Sequence, residues 1–222
     1  MAVTIYLARH GRTLFNAAHR AQGWCDAPLT REGIAAAQQL GQRMKEAGIS
    51  FDAAFSGDLG RQKATAKLIL SAAGQDELPL NENPGLRECS FGRWEGEKES
   101  DRDEAFRIFH GLGEDQSAYS LGRKGLCAAY VGTDDTGLAE SYEQVCTRIL
   151  STLLAIGAAA EQAGQNSVLA VSSGMITMTL LFDVLGVPHS DAPNGIPTAS
   201  CTVLEYNNGA LTAIPPVGRL EF

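Results

Sequence analysis

The chain opens on a short apolar, β-favouring run, residues 3–8 (Val-Thr-Ile-Tyr-Leu-Ala), which breaks at Arg9-His10-Gly11. Beyond it the spacing of apolar positions becomes helical. Thr30 is placed to cap a helix reaching about Gly48, with Ile34, Ala37, Leu40 and Met44 on one face. Residues 51–56 predict a second strand, and Asp58 is placed to cap a helix carrying Leu59, Ala66, Ile69 and Leu70. The stretch 97–137 lacks such a period; rich in charge, glycine and aromatic residues, it predicts one or two short helices in an insertion or lid. A long helix is expected over about 139–164, with Val145, Ile149, Leu153 and Ile156 at helical spacing. A buried strand at 167–172, a helix at 175–185 and a closing hairpin of 201–206 with 210–214 around Asn207-Asn208-Gly209 complete the pattern. Strands alternating with helices predict an α/β three-layer sandwich, a mostly parallel central sheet with helices on both faces, plus a small helical lid. One domain over residues 1–222 is expected, with the lid at about 97–137. No internal repeat or low-complexity segment interrupts it.

Composition narrows the function. A hydrophobic fraction of 44%, a charged fraction of 20% and a net charge of −8 describe an ordinary globular chain and argue against nucleic acid or an anionic membrane as partner. No apolar stretch approaches the ~20 residues that span a bilayer, and no signal peptide is expected. Cysteines at 25, 89, 127, 146 and 201 form no CxxC pair, which predicts reduced thiols in a cytoplasmic protein rather than a disulfide frame or zinc site.

The chemistry gathers where strands are expected to end, the usual ligand position in such sheets. Arg9 offers a planar fork of donors matched to phosphate oxygens. Gly11 allows close backbone approach to a bound group, and a neutral His10 can attack phosphorus and carry the phosphoryl group. Arg61, in the first turn of the helix after Asp58, opposes the positive end of the helix dipole unless an anion sits nearby. Read alone, Glu88 is a surface carboxylate and Trp94 a core anchor; beside an anion site, Glu88 becomes a candidate general acid.

Arg9-His10-Gly11 with Thr13 and Asn16 resembles the opening of the histidine phosphatase superfamily, the phosphoglycerate-mutase-like enzymes. The resemblance continues through residues 23–30 (Gly-Trp-Cys-Asp-Ala-Pro-Leu-Thr), 55–61 (Phe-Ser-Gly-Asp-Leu-Gly-Arg) with Thr65-Ala66, and 86–96, then Glu140-Ser141 and Val171-Ser172-Ser173-Gly174. It implies an α/β sheet with helices on both sides. His10 would be the phosphorylated nucleophile, Glu88 the proton donor, and Arg9, Asn16 and Arg61 the holders of phosphoryl oxygens, with Gly11, Arg12 and Thr13 beside them. Arg12 stands where relatives often carry Glu or Gln, so its role is open. No metal or organic cofactor is implied; the partner is a small phosphorylated metabolite, and the chain a monomer or homodimer.

One position departs from the pattern. The family's second catalytic histidine belongs where this chain has Ser173, and losing one such preorganised donor costs ~10²–10³ in rate. His19, His110 and His189 lie in no matching motif, and the last two are expected to be solvated. Three explanations stand: a natural member with lowered activity, a non-catalytic relative that binds a phosphorylated ligand, or a variant of an active enzyme. The stretch 97–139 is shorter than a mutase's basic insertion and acidic at its start, which favours a phosphohydrolase over a phosphoglycerate mutase (an isomerase). Phe91, Phe106, Tyr119, Arg123 and Lys124 are candidate substrate contacts from the lid, with lid packing the favoured role of Phe106.

Overall fold

The computed structural model describes residues 2–222. Its strands are β1 (Val3–Arg9), β2 (Ala53–Ser56), β3 (Leu80–Glu82), β4 (Ser167–Ser172), β5 (Cys201–Asn207) and β6 (Ala210–Arg219). They form one sheet in the order β3-β2-β4-β1-β5-β6. The four strands from β3 to β1 run parallel, whereas β5 is antiparallel to β1 and β6 to β5. Parallel neighbours need crossovers long enough to hold a helix, which is where the periodic segments lie. The helices are α1 (Leu14–Ala17), α2 (Arg31–Glu46), α3 (Gly60–Ala73), α4 (Glu99–Phe109), α5 (Gly122–Thr133), α6 (Tyr142–Gln162) and α7 (Gly174–Met178).

Alternation along the central strands divides the core into two. Val3, Ile5 and Leu7 of β1 and Val168 and Ala170 of β4 join Val145, Ile149, Leu153 and Ile156 of α6. The residues between them, Ala8, Leu169 and Val171, join Leu40 and Met44 of α2 and Ala66, Ile69 and Leu70 of α3. The sheet is therefore covered on both faces, and burying each large aliphatic side chain contributes about 1.5–3 kcal/mol. Strands β1 and β4 pair with Arg9 opposite Ser172, so the residues after each strand emerge side by side. That register places the site.

Several expectations need correction. Ile34 is exposed, because Gly33 and not Ile34 begins the inward stripe of α2. A Cβ on Gly33 would lie 2.2 Å from the Arg12 carbonyl oxygen. Asp58 does not cap α3, whose N-cap is Leu59; it forms a two-toothed ion pair with Arg87 at 2.6 and 2.5 Å. The second strand begins at Ala53 because the Phe51 backbone N–H and C=O bond the Gln75 side chain instead of a neighbouring strand. The expected helix at 175–185 is α7 followed by a π-helical stretch, Thr179–Val184. Strand β3 escaped notice: it has three residues, two exposed, and no alternation to read. The closing hairpin is as expected, with Asn208 and Gly209 at φ 48° and 84°. The segment expected to form a lid holds α4 and α5, joined by a 3₁₀ turn at Ala118–Leu121.

Candidate active site

His10 follows β1 and is clamped by backbone on both sides. Its N–H donates to the Ser172 carbonyl (3.0 Å), and the N–H of Ala199 reaches the Arg9 and His10 carbonyls at 3.1 and 3.2 Å. Ala199 takes φ 52°, a strained conformation for a residue with a Cβ, of the kind that clusters at functional sites. The imidazole is 3% exposed, and its Nδ1 lies 2.8 Å from the Gly11 carbonyl oxygen. A carbonyl only accepts, so Nδ1 carries the proton and Nε2 the lone pair. Burial, then the charges of Arg61 and Arg9, hold the ring well below the usual histidine value. The result is a neutral, oriented imidazole.

Arg61 enters from the first turn of α3, and its side chain is wholly buried. Its Nη1 donates to the Cys25 carbonyl (2.7 Å) and to Asp26 (3.2 Å), and its Nη2 to the Gly23 carbonyl (2.6 Å). The loop that offers those carbonyls is itself gathered by Glu95, whose carboxylate accepts the backbone N–H groups of Gly23, Trp24 and Cys25. Arg9 donates through Nη1 to the Ile196 carbonyl, and burial lowers its guanidinium below the ordinary value, Arg61 acting in the same sense and Glu88 against it. Among the described residues, six buried side-chain polar atoms have no partner, and three are Arg9 Nε, Arg61 Nε and Gln22 Nε2. All three are donors, and buried donors rarely go unmatched. Arg9 and Gln22 lie on one cavity lining, and Arg61 lies off it.

Glu88 is 5% exposed, not the surface carboxylate it resembles when read alone. Its Oε1 accepts the N–H groups of Cys89 and Ile176 (2.9 and 2.8 Å), and its Oε2 that of Met175 (2.9 Å). Each carboxylate oxygen has about two lone-pair sites, so Oε2 keeps one free. The 85–88 loop is fixed from behind by Arg148, which donates to the Gly85, Arg87 and Glu88 carbonyls and pairs with Glu140. Glu140 also receives the Ser90 N–H, and Ser141 forms a capping box with Gln144 at the start of α6.

Arg9, His10, Asn16 and Glu88 line one cavity of about 330 Å³ with Arg20, Gln22, Gly174 and Met175. Its other end is formed by Phe91 and, from the 97–137 segment, Glu99, Arg102, Tyr119, Arg123 and Tyr130. Tyr130 stacks on Phe91 with centroids 4.2 Å apart and meets Phe106 edge-on at 4.7 Å. Arg102 reaches the hydroxyls of Tyr119 and Tyr130, and Arg123 pairs twice with Asp183 at 2.6 Å. A larger groove of about 720 Å³, lined by Ala27, Pro28, Leu29, Ile34, Ala64 and Leu68, holds none of Arg9, His10 or Glu88, but Arg61 lies on its wall and not on that of the His10 cavity. Among the described residues no group of three or more His, Cys, Asp and Glu side chains is placed to hold a metal ion. No helix there is long and apolar enough to cross a membrane.

Five sequence candidates stand off the lining of the His10 cavity: Gly11, Arg12, Thr13, Arg61 and Ser173. Gly11 donates its N–H to Thr65, and a Cβ there would lie 2.6 Å from the Gly33 carbonyl oxygen; its close approach is to α2, not to a bound group. Arg12 is exposed and not on the lining. Thr13 is buried as the cap of α1, donating to Gln22 Oε1 at 2.6 Å. That bond turns Gln22 so that its amide nitrogen is free. Of the lid candidates, Phe91, Tyr119 and Arg123 reach the cavity, whereas Phe106 packs inside the lid and Lys124 does not line it. His189 is exposed but stacks on Phe182, and His110 is half-buried against the Gly125 carbonyl. Sequence reasoning missed Arg20, Gln22, Arg102, Leu126, Tyr130 and Met178. Ser173 follows β4 at the cap position of α7, fully buried, its Oγ accepting from Gln62 Nε2 at 2.9 Å.

The family model of the histidine phosphatase superfamily (branch 1) matches residues 5–214. The chain belongs to this superfamily. Its relatives include a 2,3-bisphosphoglycerate-dependent phosphoglycerate mutase of Bradyrhizobium sp. (strain ORS 278), 38% identical over 97 residues; that match covers 44% of this chain and 47%, about half, of the relative. A probable phosphoglycerate mutase GpmB of Yersinia pestis (strain Pestoides F) is 36% identical over 172 residues, 71% of this chain and 78% of that one. The crystal structure of phosphoglycerate mutase from Bacillus anthracis str. Sterne superposes with a TM-score of 0.90 and 34% identity over 99% of this chain and 94% of the other. Superfamily members titled phosphatases, under 25% identical, share the fold. The α/β architecture expected from the pattern is the superfamily's.

Proposed function

We propose that this superfamily member is a phosphomonoester phosphohydrolase working through a phosphohistidine at His10. The observation that carries the reading is the buried imidazole, proton fixed on Nδ1 by the Gly11 carbonyl and Nε2 left as a lone pair beside two guanidiniums. Arg9 holds the phosphoryl oxygens with its unpartnered Nε–H, helped by Gln22 and Asn16 on the same lining, and Arg61, off that lining, adds its positive charge from behind His10. His10 Nε2 attacks phosphorus, the bond to the ester oxygen breaks, and Glu88 Oε2 protonates the leaving alkoxide. The resulting carboxylate then takes a proton from water as that water attacks the phosphohistidine, releasing inorganic phosphate and neutral His10. A cavity of about 330 Å³ suits a small phosphorylated metabolite. Ser173 in the place of the second histidine lowers the rate by ~10²–10³.

Mutase chemistry is the second reading, favoured by the names of the Yersinia and Bacillus relatives. The two separate on a panel of phosphomonoesters assayed without metal. Release of phosphate that needs no bisphosphate primer and disappears in His10→Ala supports the phosphohydrolase. Exchange of phosphate between hydroxyls that depends on a bisphosphate supports the mutase. Phosphate binding without either activity would replace both with a phospho-ligand binding protein.

A further inference from the structure

Gln62 takes no part in the mechanism above, yet it is fully buried and touches the position where the chain departs from its relatives. It follows Arg61 in the first turn of α3, so one turn of helix delivers Arg61 behind His10 and Gln62 to the end of β4. Its Nε2 donates to the Leu86 carbonyl and to Ser173 Oγ, both at 2.9 Å. Leu86 O also accepts the Ser172 hydroxyl at 2.8 Å. The amide's orientation is fixed by this arrangement, since reversing it would set Oε1 against the Leu86 carbonyl. Room for the carboxamide exists because residue 57 is glycine: a Cβ there would lie 1.9 Å from Gln62 Oε1.

A serine hydroxyl has one proton to give and two lone pairs to fill. Ser173 Oγ accepts from Gln62, which leaves its proton free to be donated, and among the described residues no protein atom accepts it. That buried hydroxyl stands at the end of β4, beside the strand end that carries Arg9 and His10. Ser173 lies just behind the lining, and its neighbour Gly174 is on it, where a Cβ would lie 2.8 Å from the Arg9 guanidinium. An oxygen of a phosphoryl group on His10 would be the acceptor.

We propose that Gln62 is a positioning residue for Ser173: by donating to Oγ it turns the serine proton outward, so that the serine donates to the transferring phosphoryl group. The inference rests on the phosphoryl-transfer reading of the His10 site.

The test is a double-mutant cycle on the full chain with Gln62→Met, which keeps the volume and removes the donor, Ser173→Ala, and the two together. Gln62→Glu is added because a carboxylate would accept the serine proton and turn it away. Phosphate release gives kcat and KM, and calorimetric titration with orthovanadate reads the same donor without turnover. The expected result is an about tenfold fall in kcat in either single variant with KM unmoved, and no further fall in the double. Gln62→Glu should lose at least as much, and vanadate affinity should fall in parallel. Additive losses, or a Gln62→Met that lowers only the melting temperature, would overturn the inference while leaving His10 chemistry intact. Should the parent chain release no phosphate but vanadate affinity still show the coupling, the phosphohydrolase reading fails and the Gln62–Ser173 pair stands. Absence of both turnover and vanadate binding overturns the two together.

Discussion

The two ends of the cavity are built in different ways. At the strand end, His10, Arg61 and Glu88 are held by backbone groups drawn from distant parts of the chain: Gly11, Ser172 and Ala199 for His10, Gly23 and Cys25 for Arg61, Met175 and Ile176 for Glu88. At the lid end, Arg102, Tyr119, Tyr130 and Arg123 are held by side chains, through ring stacking, phenol hydroxyls and ion pairs. Backbone carbonyls and amides move only if the segments that carry them move, so the first end is the more tightly fixed of the two. Side-chain contacts can be re-made around a different ligand, so we propose the second end as the place where substrates are told apart.

Substitutions at the two ends should therefore separate chemistry from selection. The largest effect is expected from His10→Ala, a loss on the order of 10⁴-fold in kcat on every phosphomonoester; a residual rate above one hundredth of the parent's would contradict its role as nucleophile. Arg61→Ala comes next. Removing a wholly buried cation leaves Asp26 and the Gly23 and Cys25 carbonyls unpaired, which should cost about 3 kcal/mol in urea unfolding and most of the affinity for phosphate. An Arg61→Ala chain that binds phosphate as the parent does would break the contrast. Phe106→Ala, in the lid core, should cost a similar 3–5 kcal/mol of lid stability. Unlike Arg61→Ala, it should raise KM for larger esters more than it lowers kcat for the smallest. The smallest change is Tyr130→Phe, which removes one hydroxyl from Arg102, about 1 kcal/mol. It should alter the ranking of substrates and leave the rate on the best small ester within about threefold.

The strand end also has a pH signature. The folded pKa of His10 lies below its unfolded value of 6.5 because the ring is buried beside two guanidiniums. The unfolded chain therefore binds the proton that the folded chain refuses. This contribution to stability is full above about pH 6.5 and is lost as pH falls below it. Urea midpoints at pH 7 and pH 5 in the parent and in His10→Gln measure it: the drop should shrink in the variant, and an unchanged drop would place the titration elsewhere. The same shift keeps His10 a nucleophile below pH 6.5, so phosphate release should not decline with an apparent pKa near that value.

The contrast between the ends also explains what was legible in the sequence. Period-2 and period-3.6 patterning exposed β1, β4, α2, α3 and α6, whose apolar faces are buried, and missed β3, which buries little. His10, Arg9, Arg61 and Glu88 were legible because each lies in a dense local motif at an element's end. Gln22 and Gln62 were not, because an amide acquires its meaning from what it touches: Gln22 from Thr13, Gln62 from Leu86 and Ser173. Arg12 and Thr13 illustrate the reverse error, since proximity in sequence to His10 says nothing about which way a side chain turns after the strand. In the lid, Arg102 and Tyr130 are brought together across α4 and α5 by aromatic packing that no linear spacing announces.

The central claim is that His10 carries the phosphoryl group. The most direct measurement is to mix the protein with a small phosphomonoester bearing a labelled phosphoryl group, quench under alkaline conditions within milliseconds to seconds, and map the label by mass spectrometry. Acid-labile label is expected on His10, formed and discharged at rates that match turnover, and absent from His10→Ala. Phosphate release at the full rate with His10 unlabelled, or label on another residue, would contradict it.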